Sequence, residues 1–401
     1  MVKLSRSLIP IRRNRLSLSH GSPDLLNEIS FLFSNWPWRL QNLHVKGLHS
    51  GLNRLSEICD RMRNKMALKS IVMRQLVLFS VVSIFVFTSA VFAQGVVPGQ
   101  GTVVPKIGDD FEDESWTYTY NFPKSSSNID EQVRRPNAFS SNRRMLESDY
   151  RGTPDLVKRV PAPPGGIEGS TGALLMQTRI AGIPGRISME MQQDDLVINP
   201  RGIPGNALWL AKNPSFVVRV YIPDFDEFED RTGSTFGIRA DCHTLVDDKP
   251  KFGFGLFNRK NSRKMEPYWP GFFVQFNSKT DGRNTEDSAS ILIRCDQNGR
   301  EVAGPKITKQ GWWTFGMSFT PDGQVHYYAH EGIKDLTAAD HLYSSFPYGY
   351  KCEGFHSCFF NITTFDDGKT WSTPWVIDDP TFYYADGPVQ MATGRRNGTV
   401  R

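Results

Sequence analysis

The 401-residue chain is poor in cysteine, with five, and no Cys/His spacing resembles a zinc site, which excludes a fold held by structural zinc. No unit recurs at a period of roughly 20–50 residues, which excludes a solenoid or propeller. No long segment carries a helical repeat. The longest apolar run falls short of the roughly 20 residues that span a bilayer comfortably. No basic helix or stacked-aromatic motif supports nucleic-acid binding. The positive charge offers no such support either. Residues 1–93 hold 13 Lys and Arg against 4 Asp and Glu, a balance of +9 in a chain of +5, which leaves −4 for the remainder.

What the chain does have is an export leader at residues 69–95. Lys69 and Arg74 form a positive flank, residues 76–87 (LVLFSVVSIFVF) are apolar, and Ala90 and Ala93 are small residues ahead of Gln94-Gly95. This order describes a signal peptide, taken as residues 66–93 with cleavage near Ala93-Gln94. The alternative is an uncleaved signal anchor that tethers the same domain outside. The expected location is secreted, or periplasmic or extracellular, with membrane contact only through this segment. Residues 1–65 are basic and aperiodic. They are read as a disordered or non-native extension, with translation starting at Met66 or Met73; an unusually long n-region is the alternative.

After the leader, residues 94–108 (QGVVPGQGTVVPKIG) read as a linker, 109–390 as the folded domain and 391–401 as a disordered tail. Residues 121–170, rich in Ser, Arg, Pro and Gly, read as a long irregular excursion. Cys242, Cys295, Cys352 and Cys358 remain in the exported part, an even number that suggests two disulfides. Cys352 and Cys358 enclose a short loop and form the natural pair, leaving Cys242 with Cys295.

Short strand signals follow one another, separated by Gly, Pro, Asn and Asp. They cover 173–179, 185–191, 216–222, 235–243, 251–258, 271–277, 290–296, 312–319, 325–330, 356–364 and 374–384, with a minor helix at 332–342. Such a series indicates an all-β antiparallel sandwich or barrel. Side chains alternate between sheet faces. Phe216, Val218, Val220 and Ile222 therefore share a buried face, as do Phe236, Ile238, Ala240 and Cys242; Phe272, Val274 and Phe276; and Ile291, Ile293 and Cys295. The opposite face collects Arg219, Tyr221, Arg239, Asp241, His243, Gln275 and Arg294. Trp209 is assigned to the core. Trp312 and Trp313 fall on opposite faces, one in the core and the other open to exposure. Trp269, in Tyr268-Trp-Pro270, reads either as a platform for a sugar ring or as a plug over the core.

Several motifs in this order resemble the concanavalin A-like lectin/glucanase superfamily. Asp109-Asp-Phe-Glu-Asp113 with Trp116 is similar to its opening strand. Gly311-Trp-Trp-Thr-Phe-Gly-Met-Ser-Phe319, Pro321-Asp-Gly323 and Val325-His-Tyr-Tyr328 are similar to its late hairpin. Trp375-Val-Ile-Asp-Asp379 is similar to the closing strand that returns beside the first. The resemblance spans residues 108–386 and implies a two-sheet antiparallel jelly-roll sandwich. It also implies a structural Ca²⁺ between first and last strands, with Asp110, Glu112 and Asp378 as ligands by position; no other cofactor is expected. The Glu-x-Asp-x-Glu strand of the family's glucanases is absent. Asp226-Glu-Phe-Glu-Asp230 reads as a solvated acidic loop, and Ser188-Met-Glu-Met-Gln192 puts one carboxylate on its face. Thr364-Phe-Asp-Asp-Gly-Lys-Thr-Trp371 fits the Asp-box of sialidase-like propellers, but occurs once and reads as a structural turn.

The polar face suits sugar acids, because a guanidinium pairs bidentately with a carboxylate. In residue types alone it resembles the site of jelly-roll polysaccharide lyases. Arg219 or Arg239 with Gln275 would neutralise a uronate, and His243 and Tyr221 would act as base and acid. The ordinary alternative is a solvated sheet face with cross-strand ion pairs. The expectation is an exported β-sandwich that binds extracellular carbohydrate through Arg219, Arg239, Gln275, Arg294 and Trp269, or serves a structural role in the envelope. The alternative is a polysaccharide-active enzyme, a lyase on acidic glycans. Asn361-Ile-Thr363 and Asn397-Gly-Thr399 are glycosylation sequons.

Overall fold

A computed structural model describes residues 96–130, 136–182, 185–247 and 263–385. The leader, the extension, the strand expected at 251–258, the sequon at Asn397 and the tail at 391–401 lie outside these residues. The described residues all belong to one compact unit, within Ala90–Arg401.

Alternating apolar residues bounded by Gly, Pro and Asn make strands wherever one face can be buried. Numbered in chain order, the strands form two antiparallel sheets. One runs β16 (His341–Ser345), β15 (Val325–Glu331), β14 (Gly311–Phe319), β8 (Pro214–Ile222), β18 (Trp375–Tyr384), β6 (Gly172–Gln177), β5 (Leu156–Pro161), with β1 (Thr102–Gly108) also paired to β18. The other runs β13 (Glu301–Ile307), β12 (Ser288–Arg294), β11 (Gly271–Asn277), β9 (Gly233–Asp247), β17 (Gly354–Phe365), β7 (Met191–Ile198), β4 (Met145–Glu147), β3 (Phe139–Ser140), β2 (Tyr118–Thr119), with β10 (Arg263–Tyr268) paired to β9. The chain is thus an all-β two-sheet sandwich of the jelly-roll kind.

The inward faces are those given by the alternation. Phe216, Val218, Val220, Phe236, Ala240, Ile291, Phe360 and Trp375 are fully buried. The two layers interlock through aromatic pairs across the gap, Phe236 on Trp375 at 4.6 Å and Phe272 against Phe315 at 5.3 Å between ring centres. Such pairs add about 0.5–1.5 kcal/mol each to the burial itself.

Several expectations are corrected. The opening strand is β1, within the supposed linker, and not residues 109–113. Val103 pairs with Tyr383, and Val96 and Val97 ahead of it are fully buried. The excursion at 121–170 contributes β3, β4 and β5. The strand expected at 185–191 lies at β7, because Asp194 and Asp195, buried through polar contacts, interrupt its apolar pattern. The helix at 332–342 is a 3₁₀ turn, Ala338–Asp340, leading into β16. Trp209 is 57% exposed, beside Lys212. Trp312 and Trp313 are both buried, Trp312 on the outer face beneath residues 163–166. Glu229 of the acidic loop is buried and pairs with Arg231 at 2.9 Å. The Asp-box is a structural turn as expected, linking β17 of one sheet to β18 of the other; Asp366 accepts from the Ser188 amide and Asp367 from those of Lys369 and Thr370. Asn361 is fully buried, which closes that sequon to glycosylation.

The four cysteines of this unit are free and buried. The amide of Glu353 donates to the His243 carbonyl at 2.8 Å, which folds the chain after Cys352 onto the end of β9. Cys352 therefore stands beside Cys242, and neither expected disulfide forms. Burial pushes the Cys242 and Cys358 thiols well up and Cys295 to about 12. Thiolate is the reactive form and all four sulfurs are shielded from solvent, so iodoacetamide at pH 8 should leave all four unmodified in folded protein and label them after urea. Peptide mass mapping reads this directly, and native labelling at any of the four would contradict the burial.

Candidate functional site

The two outer faces differ. Over the eight-stranded sheet, residues 161–166 and the segment around Leu336 cover the strands; Trp312 Nε1 donates to the Pro163 carbonyl, and Leu336 packs with Val97, Val217 and Tyr328. Arg219 and Tyr221 lie on this covered face. Arg219 pairs with Asp335 at 3.1 Å, and Tyr221 meets Trp312 edge-on at 5.5 Å. The polar residues expected to share one face are thus divided between opposite sides of the sandwich. Alternation assigns a side chain to inside or outside but does not say which sheet carries it.

The outer face of the ten-stranded sheet carries a cleft of about 470 Å³. Its floor is one row of the ladder. Arg294 of β12 pairs with Gly271 of β11, Gly271 with Arg239 of β9, Arg239 with Phe359 of β17, Phe359 with Val197 of β7, and Val197 with Leu146 of β4. Paired residues project to the same side of a sheet. The row therefore presents two guanidinium groups, one on each side of Gly271, and an apolar half. Gly271 is required there, since a Cβ would come within 2.2 Å of the Ile238 carbonyl oxygen.

Arg239 is nearly buried. Its Nε and Nη2 donate to the Trp269 carbonyl at 3.2 and 2.9 Å, and the guanidinium lies 5.5 Å from the ring centres of Phe273 and Phe359. Burial, and then Arg294 across the gap, pull its pKa down to about 10. Arg294 is half-buried, stacks on Phe273 at 4.6 Å and pairs with Glu301. The Trp269 ring stands at the cleft wall, edge-on to Tyr150 at 5.8 Å. Arg151, Arg201, Asn199, Asn206 and Asp241 complete the rim.

Four carboxylates also line the cleft. Glu147 is occupied by donors from its own loop, and Asp195 accepts from Asn361 Nδ2 at 2.6 Å and Gln193 Nε2 at 2.9 Å. Burial raises the Asp149 and Asp195 carboxyls. Four arginines, Arg151, Arg201, Arg239 and Arg294, share the cleft with these four acidic side chains.

Of the expected ligand residues, Arg239, Arg294 and Trp269 come together. Gln275 is on the same face but outside the cleft, its Nε2 turned to the Phe276 carbonyl at 3.3 Å. His243 lies next to the rim, stacked on His356 at 4.0 Å and 3.6 Å from Asp241. Tyr150, Arg151 and Arg201 were missed. They come from loops flanking β4 and β7 and reach the site only through the fold; the exposed Tyr150 beside Arg151 was the one available signal.

The calcium ligands do not assemble. Ser170 Oγ sits 2.9 Å from both Glu112 and Asp378, but Glu112 is taken up by Thr171, whose hydroxyl holds it down at about 2. Burial pushes Asp378 up to about 7. Among the described residues no group of three His, Cys, Asp or Glu is placed to hold a metal.

No family model matches the chain, and no curated protein does. Similar solved structures include an alginate lyase from Pseudomonas aeruginosa, 12% identical with a TM-score of 0.31 over 57% of this chain and 86% of the other. A marine alginate lyase from Aplysia kurodai is 10% identical with a TM-score of 0.33, over 67% and 98% of the two chains. A β-glucanase catalytic domain from Podospora anserina is 8% identical with a TM-score of 0.30, over 62% and 82%. Likeness of this degree carries no argument about activity, so the functional reading rests on the cleft.

Proposed function

We propose that the cleft binds an acidic saccharide. The observation that carries this is the floor row itself, in which Arg239 and Arg294 flank a position that has no side chain, beneath the Trp269 and Tyr150 rings. A carboxylate lying in the cleft over Arg239 and Arg294, both of which line it, meets two guanidinium groups. The aromatic wall and the apolar half of the floor suit the carbon face of a sugar ring. The leader expected at residues 69–95 directs the proposal to glycans outside the membrane. Binding is favoured over β-elimination because Tyr221, the acid paired with His243 in the lyase reading, lies on the other sheet.

The test is calorimetric titration with uronate and matched neutral oligosaccharides. Uronates should bind more tightly, Arg294→Gln should remove that preference, and Trp269→Ala should weaken binding about tenfold, or 1.4 kcal/mol. No binding to either class sinks the proposal. An ultraviolet signal from unsaturated uronates would replace binding alone with catalysis, His243 then being the base to mutate.

A further inference from the structure

Away from the cleft, Lys124, Asp155 and Asp194 form a buried triad. Lys124 Nζ lies 2.7 Å from Asp194 Oδ2, 2.8 Å from Asp155 Oδ1 and 3.0 Å from the Ile180 carbonyl. Lys124 and Asp194 are almost wholly shielded from solvent, and Asp155 nearly so. The Thr178 hydroxyl contacts Asp194 Oδ2 and stands 3.0 Å from Asp155 Oδ2, which also accepts from the amides of Arg179 and Ile180 at 2.8 and 2.7 Å. Asp194 Oδ1 is buried and makes no hydrogen bond. A surface ion pair would be solvated and mobile. This one holds an amine nitrogen against a carboxyl group in a dry site, with a second carboxyl in contact with the same nitrogen.

We propose that Lys124 and Asp194 join as an intramolecular isopeptide bond, with Asp155 moving the protons. The reacting state has Lys124 as the ammonium, held charged by the Asp155 carboxylate, and Asp194, which burial pushes up to about 7, as the neutral acid that a nucleophile can attack. A proton passes from Nζ to Asp155 across the 2.8 Å contact, leaving a neutral amine. The Nζ lone pair adds to Asp194 Cγ and the new C–N bond forms. Asp155 relays a second nitrogen proton to a carboxyl oxygen, the Cγ–O bond breaks, and one water leaves. Three ammonium hydrogens and one carboxyl hydrogen become one amide hydrogen, two in water and one on Asp155, with no net change of charge. No oxidant or cofactor enters. Fixed contact and exclusion of water favour such a step, which is negligible between free groups in solution.

The test is tryptic mass mapping of the purified full-length protein. The expected result is a branched peptide joining the Lys124 and Asp194 segments, lighter than their sum by one water, with no cleavage after Lys124. Linear peptides ending at Lys124 overturn the proposal. Asp155→Asn keeps the Lys124–Asp194 contact while removing the proton acceptor, and should yield the linear peptides from protein whose circular dichroism is unchanged. A branched peptide persisting in that variant overturns the role given to Asp155. Lys124→Arg retains the positive charge and should show no branch.

Discussion

A Glu147→Ala variant should lose about 3 kcal/mol of stability, from three backbone amides left without an acceptor at roughly 1 kcal/mol each. Glu147 is buried at the end of β4. Its Oε1 accepts from the Ser125 amide at 2.8 Å, and its Oε2 from the Asn137 and Ala138 amides at 2.8 and 3.1 Å and from Asn121 Nδ2 at 2.9 Å. One side chain therefore ties Asn121 and Ser125 to Asn137 and Ala138. Alanine removes both acceptor oxygens at once while the fold continues to shield the Ser125 and Ala138 amides, the costly direction of the hydrogen-bond asymmetry. Because Leu146, Glu147 and Ser148 line the cleft, saccharide binding should fall with stability. Urea denaturation reads the effect; a loss below about 1 kcal/mol would mean that water replaces the carboxylate, as at an exposed site.

The second large effect is a pH dependence carried by His326. This ring is buried between Thr320 Oγ1, 3.0 Å from Nε2, and Ser344 Oγ, 2.7 Å from Nδ1. Ser344 Oγ also lies 2.7 Å from His341 Nε2. Burial, and then His341, pull the His326 pKa down to about 4 against 6.5 for the free side chain, with Asp322 opposing. The folded state thus holds the ring neutral while the unfolded chain takes up a proton below pH 6.5. Stability from this group is complete above that pH, declines as pH falls, and is lost by about pH 4. The difference corresponds to about 3 kcal/mol. Asp378, raised to about 7 by burial, runs the other way, contributing at low pH and losing that contribution as pH rises through 7. Comparison with His326→Gln cancels it. The stability of the wild-type protein relative to the variant should fall by about 3 kcal/mol between pH 7.5 and pH 4. Parallel pH profiles for the two proteins would show that the ring titrates normally.

The fold was legible where one face of a strand is apolar and the other polar. β8, β9, β11, β12 and β14 fall within two residues of their expected starts, and the inward sets that period two selects are buried, while β8 and β14 are covered on their outer faces as well. Legibility ended where burial is polar or where an edge strand lacks an apolar face. β7 carries Asp194 and Asp195 in its middle, stabilised by Lys124 and Asn361 from elsewhere in the chain. β13, EVAGPKI, contains both Gly and Pro and lies at the end of its sheet, the position that tolerates them. The site was half legible for a related reason. Arg239, Arg294 and Trp269 declare a polar outer face, but Arg219 and Tyr221 declare an equally polar one, and only strand order tells them apart. Disulfide pairing failed on the same ground. All four thiols are correctly inward, but proximity depends on which loop folds back over the end of β9, and that contact brings Cys352 and not Cys295 to Cys242.

The pairing of β1 with β18 bears on how the sandwich can be excised. β18 has β8 along one margin, while its other margin is shared end to end, by β6 at Trp375–Ile377 and by β1 at Thr381–Tyr384. A recombinant fragment begun at residue 109 would strip that second margin, leaving ladder amides and carbonyls of β18 bare and removing Val96 and Val97 from the hydrophobic packing. An unsealed margin of this kind invites strand addition from neighbouring molecules. Trimming at Ala93 keeps the seal, so the choice between these two cut points should separate soluble monomer from aggregate.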